Sequence, residues 1–217
     1  MSAGRPVVYV VDDDASYLDA VSRLLRAAGH RVEAFASASE LLAKLPAEAD
    51  GCVLADLRMP GLSGLDLQDA LAGAQGGLPV VFVSGEGDVP AAARALKRGA
   101  EDFLTKLAPK EELLEAVARA LDRAAHEREE RLRGRERLAR FERLTQRERQ
   151  VLAHVVQGRL NKQIASRLSI HERTVKLHRT SLMAKLGVGS VAELTRWVQE
   201  TGLLPELDRA ARDAPKG

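Results

Sequence analysis

Short apolar runs alternate with longer amphipathic stretches through the first half of the chain. Val7–Val11, Val32–Phe35, Cys52–Ala55, Val80–Val83 and Phe103–Leu104 are compact apolar runs, as buried strands are. Between them, Ala15–Ala28, Ala38–Leu45, Gly64–Leu71 and Val89–Arg98 repeat apolar residues three and four apart, which predicts helices with one buried face. Gly29, Gly73 and Gly99 sit near the ends of these helices, where a left-handed residue can close the last turn. Strict strand–helix alternation predicts an α/β doubly wound, five-stranded parallel sheet. With strand order 2-1-3-4-5, strands 1 and 3 are neighbours and flank the point where strand order reverses.

The second half has helical periodicity throughout. From Lys110 the apolar positions Leu113, Leu114, Val117 and Leu121 complete the first domain, and the run HEREERLRGRERLARFERL that follows is almost all charge. Glu/Arg spacing of three and four favours a solvated helix, although Gly134 weakens it by about 1 kcal/mol relative to alanine. Residues 123–140 are therefore expected to be a charged helical linker acting as a mobile spacer. Helices are predicted at Gln146–Gln157, Asn161–Leu168, Glu172–Leu186 and Val191–Thr201. Thr145 with Glu148 three residues on makes a capping box. Asn161–Thr180 reads as helix, short turn, helix, a unit whose second helix enters the DNA major groove. The last helix carries an apolar stripe of Val191, Leu194, Trp197 and Val198, which serves either as core or as a dimer interface. Residues 205–217 form a polar tail, expected to be disordered.

Composition sharpens this division. The chain has 217 residues and a formal net charge of +2, enough length for two domains. Residues 1–125 hold 13 Lys/Arg against 19 Asp/Glu, and residues 126–217 hold 20 against 12. Such asymmetry suggests that the second half meets an anionic partner, and nucleic acid is the leading candidate. No apolar run approaches the ~18–20 residues of a membrane span, and MSAGRPVVYVV lacks the basic-then-apolar order of a secretion signal. With Cys52 as the single cysteine there is no disulfide framework, so a cytoplasmic protein without a membrane partner is expected.

Candidate chemistry collects at the predicted strand ends. Asp12 and Asp13 follow VVYVV, Asp56 follows CVLA, Ser84 follows VVFV and Lys106 follows DFLT. In an open parallel sheet these ends meet at one edge. Three clustered carboxylates repel one another unless a cation neutralises them, and Mg2+ suits oxygen ligands of this kind. Asp56 could then be a metal ligand or a nucleophile toward a phosphoryl donor. Lys106 and Ser84 could take phosphoryl oxygens. Asp14 could instead cap the following helix.

The motifs VVDDD, LADLRMPGLSG, VVFVSGEGD and GAEDFLTK resemble the receiver domain of bacterial two-component response regulators, over residues 6–122. The resemblance implies that Asp56 is the phosphoacceptor and that Mg2+ is held by Asp12, Asp13, Asp56 and the backbone carbonyl of Arg58. It also implies that Ser84 is the hydroxyl switch, Lys106 the phosphate-contacting lysine and Phe103 the aromatic that reorients on activation. One departure stands out. The family usually has Lys-Pro joined by a cis bond where this chain has Lys106-Leu107, so the loop either stores strain or runs trans. An ion pair of Arg58 with Glu86 over the phosphoryl group is a further expectation.

NKQIASRL, RTVKLHR and KLGVGSVAEL resemble the LuxR/GerE-type DNA-binding domain over residues 141–204, with the helix-turn-helix motif at 161–180. Carried over by position, Lys176, Leu177 and Thr180 would face base edges, and Lys162, Thr174 and Arg179 would contact phosphates. His171 stands where the family often has a serine cap. Val191, Leu194, Trp197 and Val198 become dimer-interface candidates. The whole chain is similar to response regulators of the FixJ/NarL class. That similarity implies a sensor histidine kinase as phosphoryl donor, double-stranded DNA as target, a homodimer when phosphorylated and RNA polymerase as a further candidate partner. Two rivals remain at this stage: a DNA-binding regulator independent of phosphorylation, and a Mg2+ phosphohydrolase. The second is disfavoured by Arg58, which stands where such an enzyme would need a second aspartate.

Overall fold

The structure is a computed structural model that describes residues 5–73, 77–85 and 89–212. The chain divides into two compact units, residues 1–131 and 132–217. The first is built on strands β1 (Val7–Val11), β2 (Arg31–Phe35), β3 (Gly51–Asp56), β4 (Val80–Ser84) and β5 (Asp102–Thr105). All neighbours are parallel and the order is β2-β1-β3-β4-β5. Helices α1 (Ala15–Ala27), α2 (Ala38–Lys44), α3 (Gly64–Gly73) and α4 (Val89–Lys97) are the crossovers, and α5 (Lys110–Glu142) follows β5.

Side chains alternate between the two faces along each central strand. Val7, Tyr9, Val11, Val53, Ala55, Val80 and Phe82 share one core with Leu41 of α2, Leu67 and Leu71 of α3, and Ala91 and Ala95 of α4. Val8, Val10, Cys52, Leu54, Val81 and Val83 share the other with Val21 and Leu25 of α1 and Leu113, Val117 and Ala120 of α5. Because both faces are covered, the strands read as unbroken apolar runs rather than as alternation. Gly51 permits the close pairing of β3 with β1. Its φ is +137°, and a Cβ there would lie 1.8 Å from the Val7 carbonyl oxygen.

The stretch 123–140, expected to be a mobile spacer, is helical throughout as part of α5. Its four-residue ion pairs, Arg123–Glu127 and Glu136–Arg140, support the helix despite Gly134. Arg128 also reaches Asp50 at 2.8 Å, so the first turns beyond residue 122 belong to the sheet unit.

The second unit packs α6 (Gln146–Val156), α7 (Asn161–Arg167), α8 (Glu172–Leu186), α9 (Val191–Thr201) and α10 (Leu204–Arg212) around Leu152, Ile164, Val175, Leu182 and Leu186. Two expectations are corrected here. Leu194, Trp197 and Val198 lie inside this unit's own core, so three of the four dimer-interface candidates are structural, and only Val191 is exposed. The predicted disordered tail instead begins with α10, because Leu203 and Leu207 bury themselves in the same core. Residues 213–217 of that tail lie outside the described residues.

Glu148 joins the start of α6 to α8. Its carboxylate accepts from the Thr145 backbone N–H, the Ser181 hydroxyl and Lys185 Nζ, each at 2.7 Å, while the Thr145 hydroxyl accepts from the Glu148 N–H to complete the capping box. Burial alone would raise the carboxyl, but the hydrogen bonds from Lys185, Ser181 and Thr145 outweigh it and hold its pKa at about 2. A carboxylate depressed in the folded state stabilises above its unfolded pKa, and that contribution is lost as pH falls through the folded value. Glu148→Gln should therefore cost about 2–4 kcal/mol at pH 7. Urea unfolding followed through the single tryptophan, Trp197, measures this. The gap between variant and wild type should close between pH ~4.5 and ~2; a constant gap would refute the charge-based account.

Candidate phosphoryl-transfer site and nucleic-acid interface

The carboxyl edge of the sheet gathers the predicted residues. Asp12 directly follows β1, Asp56 ends β3, Ser84 ends β4 and Lys106 directly follows β5. Asp12, Asp56 and Ser84 are buried, whereas Asp13 is exposed. Backbone hydrogen bonds hold the edge together: Leu57 N–H donates to the Val83 carbonyl at 3.1 Å, and Lys106 N–H to the Ser84 carbonyl at 2.8 Å. Gly64 opens α3 directly against β3. A Cβ on it would come within 2.6 Å of the Asp56 carbonyl oxygen and 2.8 Å of the Phe82 ring, so a side chain there would push α3 off the strand that carries Asp56.

Lys106 bridges two carboxylates. Its Nζ lies 2.7 Å from Asp56 Oδ2 and 2.7 Å from Asp12 Oδ2, and it donates to Asp12 Oδ1 at 2.9 Å. The ammonium is desolvated, which favours the neutral amine, but its bonds to Asp12 and Asp56 outweigh this and raise its pKa. Burial raises the Asp12 carboxyl, with Lys106 and the Asp14 N–H acting in the opposite direction. The following turns donate here too: Asp12 Oδ1 also takes the Asp14 N–H at 2.9 Å and Asp56 Oδ1 takes the Arg58 N–H at 3.0 Å.

One ligand atom from each of Asp12, Asp13 and Asp56 lies within 4.8 Å of the others. Among the described residues, buried Asp12 Oδ2 also has no aligned hydrogen-bond donor despite its closeness to Lys106. An all-oxygen donor set with an under-satisfied buried oxygen fits a hard divalent cation. Asp14 instead caps α1, its Oδ1 accepting from the Ser16 and Tyr17 N–H groups. Phe103 is half-buried against the α2–α4 side of the sheet. The peptide bond from Lys106 to Leu107 is trans, and Leu107 is 90% exposed. Glu86, expected to pair with Arg58, lies outside the described residues.

Sequence reasoning passed over Tyr17. Its ring centroid lies 4.7 Å from Lys106 Nζ, while burial, opposed by Lys106 and reinforced by Asp12 and Asp56, pushes its hydroxyl up to about 12. The signal available was its place one turn after the Asp14 cap, on the helix that rises from the acidic edge.

In the second unit, Lys176, Leu177 and Thr180 lie on the exposed side of α8, with Val175 and Leu182 turned into the core. Leu177 is 64% exposed, a large apolar side chain held in water. Lys162 is exposed and Thr174 half-buried. Arg179 Nη1 donates to Asn161 Oδ1 at 2.7 Å and so ties α8 to the first residue of α7. His171 precedes α8 without any side-chain capping bond.

Comparison with known proteins agrees with both halves. Residues 8–118 match the family "Response regulator receiver domain", and residues 142–198 match "Bacterial regulatory proteins, luxR family". The chain is 45% identical over 196 residues to the response regulator protein TmoT of Ectopseudomonas mendocina, covering 90% of this chain and 89% of that one. It is 36% identical over 197 residues to the transcriptional regulatory protein FixJ of Bradyrhizobium diazoefficiens, covering 91% and 96%. Among solved structures it resembles the response regulator StyR, with a TM-score of 0.82 and 43% identity over 91% of this chain and all of that one. The chain therefore belongs to the response regulators of the FixJ/NarL class, transcriptional regulators in which a receiver domain is joined to a LuxR-type DNA-binding domain.

Proposed function

We propose that Asp56 accepts a phosphoryl group from a sensor histidine kinase and that this modification alters dimerisation and promoter binding. The observation that carries the reading is the Lys106 ammonium shared between Asp12 and Asp56 at the sheet edge. An Asp56 carboxylate oxygen forms the new O–P bond as the bond from phosphorus to the donor histidine nitrogen breaks, and the departing imidazole keeps that electron pair. Lys106 and the Ser84 hydroxyl meet the phosphoryl oxygens, neutralising charge that Asp56 alone would repel. Asp12, Asp13, Asp56 and the Arg58 carbonyl are the groups that would hold Mg2+, which when bound supplies charge neutralisation for the transferring group. The phosphoryl group stays on the protein's own side chain, so this is signalling chemistry rather than metabolic turnover.

Among the described residues no helix is long and apolar enough to cross a membrane, which accords with the cytoplasmic location this function requires. The exposed Lys176, Leu177 and Thr180 read base edges, while Lys162 and Thr174 position the module on phosphates. Arg179 acts on DNA mainly by holding α7 against α8. Two copies of the module on two half-sites give the dimeric complex, with RNA polymerase as the further partner at the promoter. The burial of Leu194, Trp197 and Val198 in the unit's own core favours a dimer contact made through exposed residues such as Val191.

Acetyl phosphate should label the purified protein in the presence of Mg2+, and Asp56→Asn should abolish the label. A wild-type protein that stays unlabelled yet binds its promoter at full strength would leave a regulator independent of phosphorylation. Lys162→Ala should weaken binding equally on all sequences and lower the salt slope by about 1, whereas Leu177→Ala should cost about 1–3 kcal/mol at particular operator positions only. Binding titrations on operator and scrambled DNA across a salt series separate the two roles, and equal losses on both DNAs for Leu177→Ala would remove it from base reading.

A further inference from the structure

The geometry points to Tyr17 as the positioning residue for Lys106, its ring fixing where the ammonium sits whether or not metal and phosphoryl group are bound. This rests on the phosphoacceptor reading of Asp56 for its functional meaning, though not for its geometry.

Lys106 has an unusual support. The chain lacks proline after it, the bond to Leu107 is trans, and Leu107 is 90% exposed, so the next side chain adds almost no packing. The backbone is held on both sides, by Lys106 N–H to the Ser84 carbonyl at 2.8 Å and Ala108 N–H to the Thr105 carbonyl at 3.0 Å. Beyond that, among the described residues, the ammonium end of the side chain meets Asp12, Asp56 and the face of Tyr17 at 4.7 Å. A cation over an aromatic face is attracted by the ring quadrupole, more strongly when desolvated, and the Lys106 side chain is only 17% exposed.

These three contacts respond differently to the reaction. Asp12 and Asp56 would be drawn toward a bound divalent cation, and Asp56 would lose its own negative charge on becoming an acyl phosphate. Both carboxylate partners therefore change as the reaction proceeds. The ring does not, because the phenol stays neutral at physiological pH. Tyr17 is also anchored at both ends: its backbone N–H is capped by Asp14, and its side chain packs on the core that holds α1 and α5 against the sheet. It can thus carry Lys106 from its carboxylate partners to the phosphoryl oxygens without releasing the ammonium to water.

The test uses the full chain and three variants, Tyr17→Phe, Tyr17→Leu and Tyr17→Met, the last keeping an unbranched chain if leucine unsettles α1. Initial rates of labelling by acetyl phosphate with Mg2+ should fall about three- to ten-fold in Tyr17→Leu and Tyr17→Met. The half-saturating Mg2+ concentration should stay unchanged. Tyr17→Phe, which keeps the ring, should label within about two-fold of wild type. In parallel, the Lys106 side-chain methylene signals in NMR should carry an upfield ring-current shift in wild type and Tyr17→Phe. That shift should persist on adding Mg2+ and vanish in the two ringless variants. Wild-type labelling rates in Tyr17→Leu and Tyr17→Met, or a Tyr17→Phe protein as slow as Tyr17→Leu, would overturn the proposal, as would loss of the ring-current shift on adding Mg2+. If no protein is labelled by acetyl phosphate, the phosphoacceptor reading fails, and the NMR comparison still decides the positioning of Lys106 by itself.

Discussion

A parallel sheet covered on both faces leaves one kind of place for charged chemistry, its carboxyl edge. Val7 to Val11 and Cys52 to Ala55 are fully committed to two cores, so the first polar residue after each strand is delivered to the same rim. Asp12, Asp56, Ser84 and Lys106 meet there because the strands beneath them cannot shift. A one-residue slip would exchange the two apolar faces of a strand. Gly51 and Gly64 serve the same constraint from the backbone, one letting β3 approach β1 and the other letting α3 start against Asp56. The ion pairs at the rim depend on this frame; Lys106 stays charged because two acidic side chains are fixed within 2.7 Å of it.

The helical unit solves a different problem with a similar device. Five helices bury a small core, and Glu148 is a charged group placed inside it. Its cost of burial is offset by three donors, an arrangement in which removing the carboxylate takes the acceptor from all of them. The carboxylate joins the first turn of α6 to the far half of α8. The helix that presents Lys176 and Leu177 is therefore braced by the capping box at the unit's start.

Much of both units was legible from residue order, for reasons that differ by element. Strands β1, β3 and β4 were readable because uninterrupted apolar runs of four or five residues, each followed by an acid or a hydroxyl, have few other uses. Thr145 and Glu148 announced a helix start by local chemistry alone, and Asp14 did the same. What could not be read was choice between equivalent uses. An apolar stripe at Leu194, Trp197 and Val198 looks the same facing a core or a second chain, and only packing decides. The helix α10 was missed because its nine residues carry four charges and a proline; Leu203 and Leu207 hold it through tertiary contact, which is where most of the stability of short helices comes from. Tyr17 and Lys106 are remote in sequence, so their contact had no local sign. Arg179, expected by position to contact phosphate, also donates to Asn161, a contact between two helices that has no local sign in the sequence.

That last bond bears on how the module could be re-targeted. A designer wishing to give this regulator another operator would exchange the outward residues of α8 for those of a cousin. The bridge from Arg179 to Asn161 means that the graft has a hidden second half, lying on a different helix. Transplanting α8 without its matching residue at position 161 would alter how the reader helix is seated as well as what it reads, and a failed swap would then be mistaken for poor base recognition.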